Sequence, residues 1–412
     1  MKRKSQRKHF QRSDSHFPVE EEDDLDLICA VETLESINIQ DLHLNKFKSL
    51  RRIIFSLGFF LDGDFSKITQ ALELKMYDHV CYGLSVMRSM DKNIKIGSVQ
   101  RWVRIAALES DLSQRHRLLD AIIRASDPDQ ISFTDNVVEV KDNLVQLDTF
   151  TIPGEGKTIE KVDLKWSFYL VETEKNWKDG SHLQILSHAP FSVNFLTKHK
   201  IIKTEIPFIA NAFTLSNVLS CNECAQFINA ADSIGWIDNS GYSFTANVNK
   251  GAAGVVWLVD DSILNPIMNR IQPFLPNLEK FAGINSRWRF YKYSLGSEFR
   301  PHIDGSWPGS GFINNTEYAF DAYGDRWSCY TCLIYLNDAL EFDGGETSFF
   351  YPSSTNGILI KRGISPKSGA ILIFPHGTKA LVHEGSPVTK GYKYVIRTDI
   401  LYYKNSSEVR VI

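Results

Sequence analysis

The sequence predicts an α+β protein whose C-terminal half is a β-sandwich or barrel. Between about residue 45 and residue 125, apolar residues recur with the 3.6-residue period of helices. From about residue 288 onward, short apolar runs alternate with Gly, Pro and Asn turns without an intervening helical pattern, which is typical of all-β domains. The chain has 412 residues, of which 43% are hydrophobic and 23% charged. At about 150 residues per domain, this ordinary composition predicts two or three globular domains.

The first 40 residues are predicted to be a disordered basic and acidic tail. Five Lys or Arg residues stand in the opening MKRKSQRK, and an acidic run from Glu20 to Asp26 follows. Because no apolar stretch follows the basic residues, they do not form a secretory signal. Alternatively, the basic segment KRKSQRK is a nuclear import signal. The predicted location is therefore cytoplasmic, nuclear or both.

Net charge and hydropathy argue against nucleic acids and membranes as binding partners. The net charge is −3 at pH 7, with 46 basic and 49 acidic residues, which does not favour nucleic acid or a membrane surface as a partner. The longest apolar run, Ile53 to Leu61, is far shorter than the roughly 20 residues of a membrane-spanning helix. We therefore expect no membrane partner.

Residues 41–200 are predicted to form a separate α+β domain of unknown role. Apolar residues around positions 50, 100 and 120 follow a helical period. In KVDLKWSFYL, residues 161–170, apolar residues occupy every second position, as in a half-buried strand. We find no catalytic pattern in this part of the sequence.

A second domain is predicted over residues 205–404, followed by a short tail, 405–412. It begins with a strand and a helix for which Ser220 is the expected N-cap. Its later strands are expected in RWRFYKYS, CYTCLIYLN, GETSFFYP, AILIFP and YKYVIRTDILYY.

The two C-x-x-C pairs raise the alternative of a four-thiolate zinc site. Cys221 and Cys224 stand at the start of a predicted helix, and Cys329 and Cys332 stand inside a predicted strand. Residues three apart on a strand face opposite sides of the sheet, and zinc knuckles place their cysteines on tight turns. The pattern therefore favours free thiols, in keeping with the reduced state of cysteines in a chain without an export signal.

An H-x-D pattern, His302 and Asp304, carries the chemistry. On an extended segment, residues two apart project to the same face, so the imidazole and the carboxylate can reach one ion. By itself H-x-D also occurs by chance on protein surfaces. A third ligand from a distant strand would complete the two-His, one-carboxylate triad of non-haem Fe(II) oxygenases. The C-terminal segment offers two histidines for this place, His376 and His383.

The motifs together resemble one known family. YKYSLGSEFRPHIDG, LIYLNDALEFDGGETSFF and GAILIFPHG…HEGSPVTKGYKYVIRTDILY follow one another in this order. This succession is similar to that of the 2-oxoglutarate- and Fe(II)-dependent oxygenases of the prolyl 4-hydroxylase type. The resemblance covers residues 205–404, roughly half of the chain.

The resemblance implies a double-stranded β-helix, or jelly roll, with flanking helices. By position in the motifs, His302, Asp304 and His383 are the expected iron ligands. His376 then becomes a turn residue or a neighbour of the ligands. Asp304 also argues against the halogenase variant of the fold, which has a small residue at that position.

The resemblance also implies a binding site for the cosubstrate. Lys393, ten residues after His383, is expected to bind the C5 carboxylate of 2-oxoglutarate, and Arg397, on the same face of the strand, is the alternative. Tyr293, Tyr335 and Thr331 are expected to line the same pocket, with ordinary sheet packing as the alternative for Tyr335 and Thr331. The implied cofactors are Fe(II), 2-oxoglutarate, O2 and L-ascorbate.

The reaction implied by the resemblance is hydroxylation of an unactivated C–H bond, coupled to decarboxylation of 2-oxoglutarate to succinate. The expected substrate is a peptidyl proline, so a protein or peptide is the expected partner. Another peptidyl side chain or a small molecule is an alternative, as is a non-catalytic binding module on the same fold. Nucleic-acid demethylation is disfavoured, because the arginine spacing of that class is absent.

The segment Gly305–Arg326 is longer than the core family pattern requires. It contains five aromatic residues and four glycines: Trp307, Phe312, Tyr318, Phe320 and Tyr323, with Gly305, Gly309, Gly311 and Gly324. Beside a metal, such a segment is expected to be a mobile substrate lid, and a packed surface loop is the alternative.

Overall fold

The computed structural model describes the residues 64–91, 93–127, 140–175, 182–188, 193–195, 200–238, 249–314, 317–377 and 381–404. The chain divides into two compact units, Met1–Asp62 and Gly63–Ile412, and every described residue belongs to the second. The predicted tails, 1–40 and 405–412, and the apolar run 53–61 lie outside the described residues. None of the helices in the described ranges has both the length and the apolarity that a membrane crossing requires. The cytoplasmic or nuclear location stays a prediction.

Helices occupy two parts of the described chain, as the periodicity predicts. Their bounds are α1 (Asp64–Glu73), α2 (Tyr77–Ser89), α3 (Ile96–Ala106), α4 (Leu112–Ser126), α5 (Cys221–Ile234) and α6 (Asp261–Ile271). Ser220 caps α5 as predicted: its hydroxyl accepts from the Glu223 N–H, and the Glu223 carboxylate accepts from the Ser220 N–H. This reciprocal pair satisfies two backbone donors that the first turn of a helix leaves unpaired.

Strands dominate the remaining described residues. The first of them precede α6: β1 (Val140–Lys141), β2 (Leu144–Gln146), β3 (Phe150–Thr151), β4 (Phe168–Lys175), β5 (His182–His188), β6 (Ile202–Glu205), β7 (Phe213–Ser216), β8 (Ile237–Asp238), β9 (Asn249–Lys250) and β10 (Ala253–Leu258). The others follow it: β11 (Phe281–Ile284), β12 (Arg287–Tyr293), β13 (Glu298–His302), β14 (Gly311–Ile313), β15 (Glu317–Ala319), β16 (Arg326–Tyr335), β17 (Phe342–Gly344), β18 (Thr347–Pro352), β19 (Leu359–Ser365), β20 (Ile371–Pro375), β21 (His383–Gly385), β22 (Val388–Gly391) and β23 (Lys393–Tyr403). All five strands expected from the C-terminal sequence are present.

Two sheets form the body of this unit. Within the described ranges, the large sheet has eleven strands in the order β4-β5-β10-β12-β23-β16-β20-β7-β6, with β8 paired to β10 and β11 to β23. The small sheet has eight, in the order β1-β2-β19-β18-β21-β13-β9, with β3 paired to β19. The chain passes between the antiparallel ribbons β12-β23-β16-β20 and β13-β21-β18-β19 as in a jelly roll. The expected double-stranded β-helix is confirmed.

Both faces of the large sheet are buried. On one face, Tyr291 and Val395 share an apolar cluster with Phe349 of the small sheet. On the other face, Trp288 joins Phe227 of α5 in a second cluster, which also contains apolar residues of α6. Successive side chains of a strand point to opposite faces, so β12 contributes to both clusters. The sheet that carries half of the site is therefore held from both sides.

The separate α+β domain predicted for residues 41–200 is not confirmed. β2 and β3 pair in parallel with β19, and β5 pairs in parallel with β10. β2 and β3 thus extend one sheet of the jelly roll, and β5 extends the other. The physical reason is that short strands need a neighbouring edge to satisfy their backbone groups, and here the jelly roll provides those edges.

Helix α4 contains a buried ion pair between Asp120 and Arg124, and both residues form hydrogen bonds to the hairpin between β18 and β19. The Arg124 Nε atom lies 2.8 Å from an Asp120 carboxylate oxygen, and both side chains are buried. The Arg124 guanidinium also donates to the carbonyl oxygens of Ser353 (2.7 Å) and Thr355 (2.9 Å), while Asp120 accepts from the Gly357 N–H (2.7 Å). The helical region and the jelly roll are therefore joined through charged groups as well as through strands.

The strand predicted at residues 161–170 begins later than expected. Residues 161–167 alternate in exposure but form no strand in this described segment, and β4 begins at Phe168. The side chain of Trp166 packs edge-on against Trp257, with ring centroids 5.3 Å apart. The alternation of apolar residues therefore indicates that one side of the segment is buried. It does not show that the segment is paired with a neighbouring strand.

Part of the insertion Gly305–Arg326 packs against β4. β14 and β15 form a hairpin within it, and the Tyr318 hydroxyl donates to a carboxylate oxygen of Glu174 in β4 (2.9 Å). The packed-loop alternative therefore describes this hairpin. Trp307 and Phe320, which stand before and after it, remain 48% and 46% exposed.

Candidate metal centre

The three predicted iron ligands converge at the ends of two paired strands. His302 ends β13, His383 begins β21, and the two residues stand opposite each other in the antiparallel register. Carboxylate oxygens of Asp304 lie 3.6 Å from Nε2 of His302 and 3.5 Å from Nε2 of His383. One ligand atom from each residue lies within 4.8 Å of the others. Within the described ranges, no other group of three or more His, Cys, Asp or Glu side chains has such a geometry.

Both histidines present the same nitrogen to this point. Nδ1 of His302 donates to the carbonyl oxygen of Arg300 (2.8 Å), and Nδ1 of His383 donates to that of Leu381 (2.9 Å). A carbonyl can only accept, so each Nδ1 carries the proton and each Nε2 keeps a free lone pair. Burial, together with the nearby His383, lowers the pKa of His302 to about 3, which keeps its imidazole neutral. Two imidazoles and one carboxylate are the donor set that Fe(II) takes in a facial triad.

Asp304 receives a hydrogen bond on each carboxylate oxygen. Nη2 of Arg397 lies 2.9 Å from Oδ1, and the Thr331 hydroxyl donates to Oδ2 (2.6 Å). Burial by itself would raise the pKa of Asp304, but the charge of Arg397 holds it well below its usual range. The ligand is therefore an ionised carboxylate whose orientation is constrained from two sides.

Lys393 lies buried in an aromatic pocket. It is 4% exposed, and its ammonium nitrogen lies 5.4 Å from the ring centre of Tyr293 and 5.7 Å from that of Tyr335. The nitrogen donates to the carbonyl oxygen of Gly345 (2.6 Å). Burial lowers the pKa of Lys393 to about 8, against the attraction of Glu346. The pocket therefore combines two aromatic walls with a buried cation, and the cation can pair with a carboxylate.

The G-G-x-T motif shapes this pocket. Gly344 and Gly345 both have positive φ, at 74° and 69°. A Cβ on Gly345 would lie 3.1 Å from the Lys393 side chain, and one on Gly344 would lie 2.4 Å from a backbone oxygen. Both positions therefore require glycine. The threonine of the motif, Thr347, shares a hydrogen bond with the Tyr335 hydroxyl (2.8 Å), which holds that ring in place.

The structure separates the two basic residues that the sequence offers for the cosubstrate. Arg397 lies at the metal ligand Asp304 and also 3.6 Å from Asp399, while Lys393 lies among the tyrosines. The guanidinium of Arg397 therefore already has carboxylate partners. Thr331, which was expected to line the cosubstrate pocket or to pack in the sheet, is buried and donates to Asp304.

Three side chains near the centre were not predicted from the sequence. Asp399 is buried next to Arg397, and their i, i+2 spacing on one strand was a usable signal for it. Ser328 bonds to His376 from a neighbouring strand. Gln100 of α3 donates to the backbone carbonyl of Asp304 (3.2 Å), a contact for which the sequence carries no local signal.

The comparisons with known proteins agree with this geometry. Residues 288–398 match the family model described as the 2OG-Fe(II) oxygenase superfamily. This range contains His302, Asp304, His383, Lys393 and Arg397. The family resemblance drawn from the motifs is confirmed over this range. The comparison with curated proteins finds no match.

Three of the solved structures that the chain resembles at low identity are prolyl hydroxylases. The viral collagen prolyl hydroxylase of Paramecium Bursaria Chlorella virus-1 is 19% identical, with 47% of this chain and 97% of that chain covered and a TM-score of 0.31. A Pseudomonas putida prolyl-4-hydroxylase is 14% identical, with 47% and 94% covered and a TM-score of 0.31. A Trichoplax adhaerens prolyl hydroxylase, solved with a hypoxia inducible factor peptide fragment, is 20% identical, with 48% and 86% covered and the same TM-score.

Proposed function

We propose that this protein is an Fe(II)- and 2-oxoglutarate-dependent dioxygenase that hydroxylates an unactivated C–H bond. The observation that carries the proposal is the convergence of two free Nε2 atoms and one ionised carboxylate from His302, Asp304 and His383. The family match over residues 288–398 supports the same chemistry.

The roles of the residues follow from their surroundings. His302, Asp304 and His383 would hold the iron. When bound, iron and 2-oxoglutarate supply the oxidising power, with one atom of O2 entering succinate and the other entering the substrate as hydroxyl. Lys393 would bind the C5 carboxylate, because its buried ammonium faces Tyr293 and can form a charge-assisted hydrogen bond there.

We further propose a peptidyl proline as the substrate, on the strength of the motif succession. Trp307 stands three residues after Asp304 and packs edge-on against Phe320, with ring centroids 6.3 Å apart. Both rings are about half exposed. Exposed aromatic faces next to the ligand segment suit an apolar ring presented by a peptide. L-ascorbate is proposed as the reductant that maintains Fe(II).

The test is succinate release by the purified full chain with Fe(II), 2-oxoglutarate and ascorbate, beside His383→Ala. We expect turnover without added substrate, because uncoupled decarboxylation requires only iron and cosubstrate, and we expect His383→Ala to abolish it. His188→Phe is the matched control, since His188 is equally buried but lies in β5, where it accepts from Trp257.

Substrate identity is tested separately, with a peptide library and mass detection of a gain of one oxygen. Proline-containing peptides should be the ones modified. Modification of another residue type would replace the proline proposal and keep the enzyme class. Absence of both metal binding and succinate release would contradict the dioxygenase proposal and favour a binding module.

A further inference from the structure

His376 is a buried histidine whose two ring nitrogens are both engaged. The ring is 5% exposed. Nδ1 lies 2.8 Å from the Thr331 hydroxyl oxygen, and Nε2 lies 2.9 Å from the Ser328 hydroxyl oxygen. Nε2 of His383, in contrast, faces the metal centre, 3.5 Å from a carboxylate oxygen of Asp304. The histidine that is not a metal ligand therefore has a defined place immediately behind the metal centre.

The direction of each hydrogen bond in this group can be assigned. Thr331 donates its single hydroxyl proton to Oδ2 of Asp304 (2.6 Å). Thr331 must then accept from Nδ1–H of His376. Burial lowers the pKa of His376, so the ring is neutral and its Nε2 accepts from the Ser328 hydroxyl. That hydroxyl accepts in turn from the backbone N–H of Trp307 (2.8 Å).

The result is one chain of four hydrogen bonds that all donate toward the metal ligand. It runs from the Trp307 N–H through Ser328, His376 and Thr331 to Asp304. Hydrogen bonds aligned in one direction polarise and strengthen one another. Because Trp307 contributes a backbone amide, the chain cannot pass a proton onward, and its role is to orient.

We propose that His376 is a positioning residue that fixes the carboxylate of Asp304 through Thr331. This inference rests on the proposed iron site. Without the ring, Thr331 can rotate its hydroxyl away, and Asp304 loses one of the two donors that hold its orientation. Outer partners of this kind commonly contribute about 10- to 100-fold to metal affinity.

The experiment measures Co(II) binding by the full chain, by calorimetry and by the visible absorption spectrum of the bound ion. Neither measurement depends on turnover. Thr331→Val and His376→Phe remove links of the chain with little change of volume. Thr331→Ser keeps the hydroxyl, and His376→Asn keeps a donor near the position of Nδ1. His188→Phe is the control for loss of an equally buried histidine.

We expect Thr331→Val and His376→Phe to weaken Co(II) binding about tenfold or more and to change the spectrum. Thr331→Ser and His376→Asn should restore both readouts to near the parent values, and His188→Phe should match the parent. Normal Co(II) binding and spectrum in His376→Phe would overturn the inference, as would an equal loss in His188→Phe. If the parent chain itself binds no Co(II), the proposed function fails instead.

Discussion

Lys393 combines a positive charge with a buried position, which makes the binding of 2-oxoglutarate depend on pH. Burial favours the neutral amine and lowers its pKa to about 8, and only the protonated form attracts a carboxylate. We expect affinity for 2-oxoglutarate to be constant below pH 8 and to fall about tenfold per pH unit well above it. Calorimetry with Mn(II) in place of iron, from pH 6.5 to 9.5, measures this.

Lys393→Arg is the control for that titration. A guanidinium stays charged over the whole range, so the fall above pH 8 should disappear in this variant even if its overall affinity is lower. An unchanged pH profile in Lys393→Arg would show that another group controls binding, and Lys393 would then not be the carboxylate partner.

Arg397 compensates two buried carboxylates, Asp304 and Asp399. Arg397→Met would leave Asp399 charged without a partner, since its Oδ1 accepts no hydrogen bond in the described structure. Loss of one partner from a buried pair costs about 3–5 kcal/mol, and we expect a loss of this order in urea unfolding of the metal-free chain. Adding Asp399→Asn should recover part of it, and no recovery would contradict the pairing.

At the scale of elements, the attachment of α4 to the β18–β19 hairpin depends on Arg124. Arg124→Ala leaves Asp120 as a buried charge and removes donors from the carbonyls of Ser353 and Thr355. We expect unfolding to become easier by about 3 kcal/mol in a urea titration. Arg117→Ala is the matched control, because its pair with the exposed Asp78 is worth less than about 1 kcal/mol. Equal effects of the two substitutions would contradict the role of Arg124 in attaching α4 to the hairpin.

Elements of the jelly roll could be predicted from the sequence because their signals are local. The run YKYVIRTDILYY, for example, is rich in β-branched and aromatic residues and follows a glycine, Gly391, which is enough to place β23. The pairing of β2 and β3 with β19 could not be predicted, because such short strands gain their stability from a distant edge. The same applies to the docked hairpin, whose anchor, Glu174, lies far away in sequence.

The grouping of His302, Asp304 and His383 could be predicted for a related reason. H-x-D places two ligands on one strand face by geometry alone, and the position of His383 in the motif succession distinguished it from His376. The roles of Thr331 and Arg397 could not be predicted from the sequence. Which carboxylate each side chain contacts depends on how the two sheets face each other.

At the scale of the whole molecule, ligands that bind the folded state should stabilise it. Mn(II) brings a cation to Asp304, and 2-oxoglutarate brings an anion to Lys393. Asp304 and Lys393 are both buried and charged in the folded chain. A ligand at 100 times its Kd adds about 2.7 kcal/mol, so we expect a rise in Tm of several degrees in calorimetry. Asp304→Ala should abolish the rise, and a rise of equal size in that variant would place the ions elsewhere.

The contact between Gln100 and the backbone carbonyl of Asp304 has a consequence for modularity. A catalytic half that begins near residue 205 would leave that carbonyl without its partner, and β10 and β19 would lose the strands that cover their edges. We therefore expect that the jelly roll of this chain cannot be transferred by itself into another protein. A chimera that keeps the chemistry has to carry the helices from α1 onward with it.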